Sequence, residues 1–325
     1  MKGDVIAPAQ AGTPIQIKPI QIGLRSRIAI WLMRWLLRPW LGWVVRGSFE
    51  RIVSMQLLVA SRPCRDTSGL GIEYRVVGRV PGHVMGNLAD TRKALVMYLH
   101  GGAFFLPAAP EQHGMLLGRL CRELDAVGFL VDYRLAPGTK YPGALDDCER
   151  AYRAVLDLGF QPSRIVLAGE SAGGNLVLGL LQRIRKNGWP MPACAVPISP
   201  ATEMGRIHGP RSRTSRMRSD PILPLAATSR VAELYVGTAD TSDPELSPLF
   251  ADVTGFPPVH LIASDNEVLR DDTLMMAQRL RDGGILTRVD LWPLLPHAFP
   301  VLEQWLPEAA QARADIVAFV KPLLR

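Results

Sequence analysis

Cysteine is scarce in this chain: four residues in 325, Cys64, Cys121, Cys148 and Cys194, lie far apart with no C-x-x-C pair. That excludes a disulfide scaffold, offers no thiolate metal site and suits a reducing compartment. Also lacking is a charge-free hydrophobic run long enough to span a bilayer. The most apolar stretch, Ile28–Val45, carries Arg34 and Arg38 mid-span, at roughly 2.5–3.5 kcal/mol each, and is broken by Pro39. No small-residue cleavage site follows it and a polar, mixed stretch precedes it, so neither a spanning helix nor a secretory signal is expected, and the expected location is the cytoplasm. Repeats and low-complexity tracts are absent as well. What is present, 48% apolar and 21% charged residues, is enough for one large domain with a continuous core.

The formal charge of +7 is concentrated at one end. Residues 1–60 carry a net +6, so the remainder is nearly neutral. On a helix, Arg27, Arg34 and Arg38 are spaced by seven and four and share one narrow face, while Ile28, Trp31, Leu32, Trp35 and Leu36 cover the rest. Two roles fit this amphipathic pattern: a lid helix packed on its own domain, or a peripheral membrane contact with anionic lipid. Without a recognised reading module the charge does not indicate a nucleic-acid partner.

From residue 71 onward, short β-rich runs alternate with helical patterns, which predicts an α/β fold with a mostly parallel sheet flanked by helices. The expected strands are Ile72–Val77, Ala94–Leu99, Gly128–Asp132, Arg164–Ala168, Ala193–Ile198, Val259–Ala263 and Thr287–Leu291. Residues 200–258 are too long for an ordinary crossover and read as an insertion, including the arginine-rich stretch Arg206–Arg218. The expected organisation is an N-terminal cap segment 1–60, a catalytic domain from 61–199 and 259–325, and a cap insertion 200–258.

Gly169-Glu170-Ser171-Ala172-Gly173 follows a predicted strand and precedes a predicted helix. A G-x-S-x-G sequence at such a turn presents a strained, exposed serine as nucleophile, and that context distinguishes it from a chance match. His100-Gly101-Gly102-Ala103-Phe104 follows the strand Ala94–Leu99. The backbone N–H groups of Gly101 and Gly102, with that of Ala172, are candidate donors to the oxyanion of ester hydrolysis, each worth roughly 3 kcal/mol.

The general base emerges by elimination. His83, His100 and His113 precede Ser171, His208 lies in the insertion and His260 in a predicted strand. His297 lies in a loop after the predicted strand Thr287–Leu291, in the chain order Ser, acid, His. The acid that orients it should follow Val259–Ala263. Asp271 and Asp272 are better placed to open the next helix, leaving Asp265 and Glu267.

Five stretches together resemble the bacterial hormone-sensitive-lipase-like esterases and lipases: Tyr98–Phe104, Val131–Pro137 with Tyr141-Pro142 and Ala144–Cys148, Gly169–Asn175, Ser247–Ala251 and Pro296–Phe299. The resemblance spans most of residues 71–325 and implies an α/β-hydrolase fold with a helical cap built from the N-terminal segment and an insertion. It implies Glu267 as the acid, because Leu269, Asp271 and Asp272 follow at the family's spacing and His297 stands thirty residues on. Two positions depart from the family: Ala103 replaces a usual third glycine and Glu170 a usual aspartate, with no backbone donor expected to be lost by either.

The reading is a carboxylic-ester hydrolase with Ser171, Glu267 and His297 as triad, acting on short- to medium-chain acyl esters without metal or cofactor. A homodimer is compatible with it. A non-catalytic receptor on the same scaffold would be expected to lack the base, and an acyltransferase would differ only in its acceptor.

Overall fold

The computed structural model describes residues 15–205, 209–224 and 226–324; residues 1–14 of the N-terminal segment and Arg206 of the arginine-rich stretch lie outside them. Nine strands form one sheet: β1 Gln16–Ile17, β2 Ile72–Val77, β3 Val80–Met85, β4 Ala94–Leu99, β5 Ala126–Val131, β6 Ile165–Glu170, β7 Cys194–Ile198, β8 Val259–Ser264 and β9 Thr287–Trp292. Their order is β1-β9-β8-β7-β6-β4-β5-β3-β2, parallel throughout except where β3 pairs with β2 and β5. Strands β4 to β8 are buried along their whole length, which explains their near-continuous apolar sequences.

Helices cover both faces, giving two apolar clusters divided by the sheet. In chain order they are α1 Leu24–Leu32, α2 Arg38–Val45, α3 Phe49–Ala60, α4 Pro110–Leu124, α5 Gly143–Asp157, α6 Ala172–Lys186, α7 Ser212–Ser215, α8 Ala226–Val231, α9 Arg270–Asp282 and α10 Glu308–Val320. Asp271 and Asp272 open α9, as their charge at a helix N-terminus favours. Among its described residues, the stretch 200–258 adds no strand to the sheet and holds α7 and α8.

Between α1 and α2, Met33–Leu37 forms a π-helical turn. Pro39 supplies the reason: it has no N–H and its ring would crowd the carbonyl of Trp35, and a wider turn relieves both. Two arginines of this segment point inward. Arg34 donates to the carbonyls of Arg218 (2.9 Å) and Ser219, and Arg38 to those of Leu223 (3.2 Å) and Met217. Trp31, Trp35, Leu36, Trp40 and Trp43 are exposed. Met33, Val44 and Val45 are buried, so the segment is apolar on its core side as well as on its solvent side.

The topology gathers the predicted site. The chain leaves β4 into His100, β6 into Ser171, β8 toward Glu267 and β9 toward His297, and these strands run parallel, so all four segments emerge at one edge.

Candidate active site

Ser171 sits between β6 and α6 with φ 56° and ψ −117°, a conformation that costs an L-residue about 1–3 kcal/mol and lifts its side chain out of the turn. The turn is held by a hydrogen bond from Ser171 N–H to the carbonyl of Ile198 (2.9 Å). Glycine at 173 is a steric requirement, because a Cβ there would collide with the carbonyls of Leu99 and His100. The N–H of Ala172 opens the fifteen-residue α6, where the helix dipole favours negative charge.

His297 is buried, and its Nδ1 lies 2.6 Å from Oε2 of the fully buried Glu267. Glu267 is fixed in turn by the N–H of Ser264, which donates to Oε1 (3.0 Å). Ser199 steadies the histidine loop by accepting the N–H of Ala298 (3.2 Å). The opposite ring nitrogen of His297, Nε2, has no hydrogen-bond partner among the described residues. Burial pushes the imidazole's pKa down, but the hydrogen bond and charge of Glu267 outweigh it, and the net direction is upward. Asp265 is elsewhere: it pairs with Arg270 (2.7 Å) and Arg216 (3.6 Å). Asp272 binds Arg213 and the N–H of Thr202 (2.8 Å), anchoring the 200–258 stretch. His260 is buried within β8 against Asp290 (2.9 Å).

The loop after β4 requires a correction. Gly101 was expected to aim its N–H at the oxyanion, and Glu170 was expected to leave the backbone donors untouched; instead Oε1 of Glu170 accepts the Gly101 N–H. Register is the reason: Leu99 pairs with Gly169, so the side chain following Gly169 lies beside the loop following Leu99. The same oxygen meets Nε2 of His113 at 2.8 Å. Burial would raise the Glu170 carboxyl, but the charge and hydrogen bond of His113 and the bond from Gly101 hold it below the ordinary carboxylate range. Burial and His113 push His100 down to about 4, so its ring is neutral; Nδ1 lies 2.6 Å from the Gly101 carbonyl, and the ring stacks on Tyr133 with centroids 4.2 Å apart.

With Gly101 engaged, Gly102 and Ala103 are the loop's remaining donors. Both have positive φ, 117° and 54°, and neither N–H has an acceptor among the described residues. Ala103 was overlooked in the sequence because it is not glycine, although a backbone donor does not depend on its side chain.

Ser171, His297, Gly102 and Ala103 line one cavity of about 410 Å³, with further walls from α2, α3, Ile222, Leu223, Pro224 and Ala227. A second, nearly apolar lobe of about 90 Å³ also reaches Ser171 and is walled by Phe104, Met204, Val231 and Val236. Among the described residues no group of three His, Cys, Asp or Glu side chains could hold a metal ion.

Comparison with known proteins agrees with this geometry. Residues 96–301 match a family model described as alpha/beta hydrolase fold. The chain is 36% identical to esterase LipU of Mycobacterium tuberculosis over 72% of this chain and 79% of that one. It is 30% identical to the carboxylesterase/phospholipase LipF of the same species, covering 95% and 85%. Among solved structures, an esterase from the bacterial hormone-sensitive lipase family superposes with TM-score 0.81 at 29% identity, over 94% of this chain and all of the other. The chain therefore belongs to the α/β-hydrolase family and, within it, to the bacterial hormone-sensitive-lipase-like esterases, serine hydrolases of carboxylic esters.

Proposed function

We propose that Ser171, His297 and Glu267 carry out a two-step acyl transfer to water. The observation that carries this is the state of His297: Nδ1 is held by a buried carboxylate while Nε2 is unpartnered in a ring that lines the cavity together with Ser171. Nε2 takes the Ser171 proton as Oγ bonds to the ester carbonyl carbon. The resulting oxyanion accepts the N–H groups of Gly102, Ala103 and Ala172, donors that need no reorganisation. Collapse breaks the ester C–O bond, and the imidazolium returns its proton to the departing alcohol. Water, deprotonated by the same nitrogen, then attacks the acyl carbon, and the acid leaves as Ser171 regains its proton. The scheme balances without metal or cofactor.

The small lobe takes the acyl chain. Its volume of about 90 Å³, against about 410 Å³ for the larger lobe, supports acyl groups at the short end of the short- to medium-chain range. The larger lobe takes the alcohol portion, and α1–α3 with residues 200–258 act as a cap over both. Initial-rate hydrolysis of p-nitrophenyl esters from acetyl to palmitoyl tests this, with wild type beside Ser171→Ala. Turnover that peaks at short chains and vanishes in the variant is expected. Turnover that survives in Ser171→Ala overturns the assignment.

A further inference from the structure

Helices α1 and α2 present an unusual face. Leu24, Ile28, Trp31, Leu32 and Trp35 recur at helical spacing and all are exposed, Trp31 by 58% and Trp35 by 62%. Exposed apolar residues continue along α3 with Phe49, Val53, Leu57 and Leu58. This is a row rather than scattered single residues, and its orientation is fixed by Arg34 and Arg38, which clasp the carbonyls of residues 217–219 and 223 on the opposite side. Although Leu24–Val45 is long and apolar enough to cross a membrane, that clasp holds it against the protein, so only one side of it can meet an apolar phase.

Charge identifies the occupant. Residues 15–65 hold nine cationic side chains and one acidic residue, Glu50. Among the described residues, only Lys18 of the nine pairs with carboxylates, Asp290 and Asp315. Arg25 in α1, Arg46 at the end of α2, and Arg62 and Arg65 shortly after α3 are exposed, and the guanidinium of Arg51 lies 4.1 Å from the ring centre of Trp43. Tryptophans beside unneutralised arginines suit the boundary between lipid headgroups and acyl chains. Pairing this face with a second copy would instead set two strongly cationic segments against each other.

The face also adjoins the catalytic cavity. Leu37, Trp40 and Leu41 line the larger lobe with Ser171, and Trp40 is 45% exposed to solvent as well. We propose that α1, α2 and α3 dock by their apolar side on an anionic lipid surface, and that the ester enters the larger lobe from that surface. The second half of this rests on the esterase reading; the docking does not.

The test separates the two. Ser171→Ala protein, which cannot consume lipid, is floated with phosphatidylglycerol vesicles, with phosphatidylcholine vesicles, and with the former in high salt. Docking predicts co-flotation with phosphatidylglycerol that is weakened by salt and by phosphatidylcholine. Adding Trp31→Ser, Trp35→Ser and Leu36→Ser, none of which lines the cavity, should lower the bound fraction at least about tenfold. In the otherwise native enzyme the same three substitutions should slow hydrolysis of an ester dissolved in the vesicles, while hydrolysis of soluble p-nitrophenyl acetate stays within about twofold, which also verifies folding. Failure to float, or equal flotation of the triple variant, overturns the docking. So does a wild-type dimer that becomes monomeric in the variant without any vesicle binding, which would assign the face to a second copy. Flotation without turnover of any ester would leave docking intact and remove the entry route together with the esterase reading.

Discussion

Oε1 of Glu170 stands 2.8 Å from Nε2 of His113 and accepts the Gly101 N–H as well, so one carboxylate oxygen ties the residue before the nucleophile to the loop after β4. This bond both withdraws Gly101 as an oxyanion donor and holds Gly102 and Ala103 in place. Glu170→Ala is expected to lower kcat about 10- to 100-fold with KM little changed, because mispositioned donors fail chiefly in the transition state. Glu170→Asp, the conservative replacement, should recover part of the loss. Steady-state kinetics with a soluble ester measures both, and an unchanged kcat in Glu170→Ala would remove the positioning role.

The two carboxylates that follow β8 have separate tasks. Glu267 is buried against His297, whereas Asp265 is partly exposed between Arg216 and Arg270. Glu267→Ala should cost on the order of 10³- to 10⁴-fold in kcat. Asp265→Ala should cost less than about threefold, since exposed ion pairs contribute little. Equal losses in the two variants would contradict this division.

The pH profile carries its own sign. Glu267 raises the His297 pKa above its ordinary 6.5 despite burial. A general base must be neutral, so kcat/KM should fall as pH drops through that raised value, placing the acid limb above 6.5 in the free enzyme. Glu267→Gln removes the charge and should move the limb of its residual activity downward. A wild-type limb at or below the ordinary value would contradict the pairing.

Ala227 lines both lobes of the cavity. Ala227→Phe should fill the smaller lobe and shift the acyl-chain optimum toward acetyl, read as the ratio of kcat/KM for p-nitrophenyl butyrate and acetate. A ratio that stays constant or rises would place the acyl chain elsewhere.

Much of this was legible in the sequence where the signals are local. Five buried parallel strands, β4 to β8, betray themselves as apolar runs, and the G-x-S-x-G turn is steric chemistry confined to five residues. Strand β3 is not among the expected strands: it holds Pro81 and Gly82, residues unfavourable inside a strand, and pairing on both sides with β2 and β5 makes the segment extended. Two-residue β1 has no periodicity to detect; it is held on β9, with Lys18 bridging Asp290 and Asp315. The engagement of Gly101 by Glu170 joins residues sixty-nine apart, so the glycine motif could not reveal which of its N–H groups was already taken. For the same reason the helical pattern displayed the arginine face of α1 and α2 but not its direction, which depends on carbonyls nearly 180 residues downstream.

Acylation of Ser171 with His297 as its base is read from the trapped intermediate. Wild type and His297→Ala are mixed with p-nitrophenyl acetate, quenched in acid within milliseconds to seconds, digested and weighed peptide by peptide. An acetyl group is expected on the wild-type peptide containing Ser171, formed at the rate of the p-nitrophenol burst, and is expected to be lost in His297→Ala. An acetyl group on another residue, or equally fast acylation of Ser171 without His297, would contradict it.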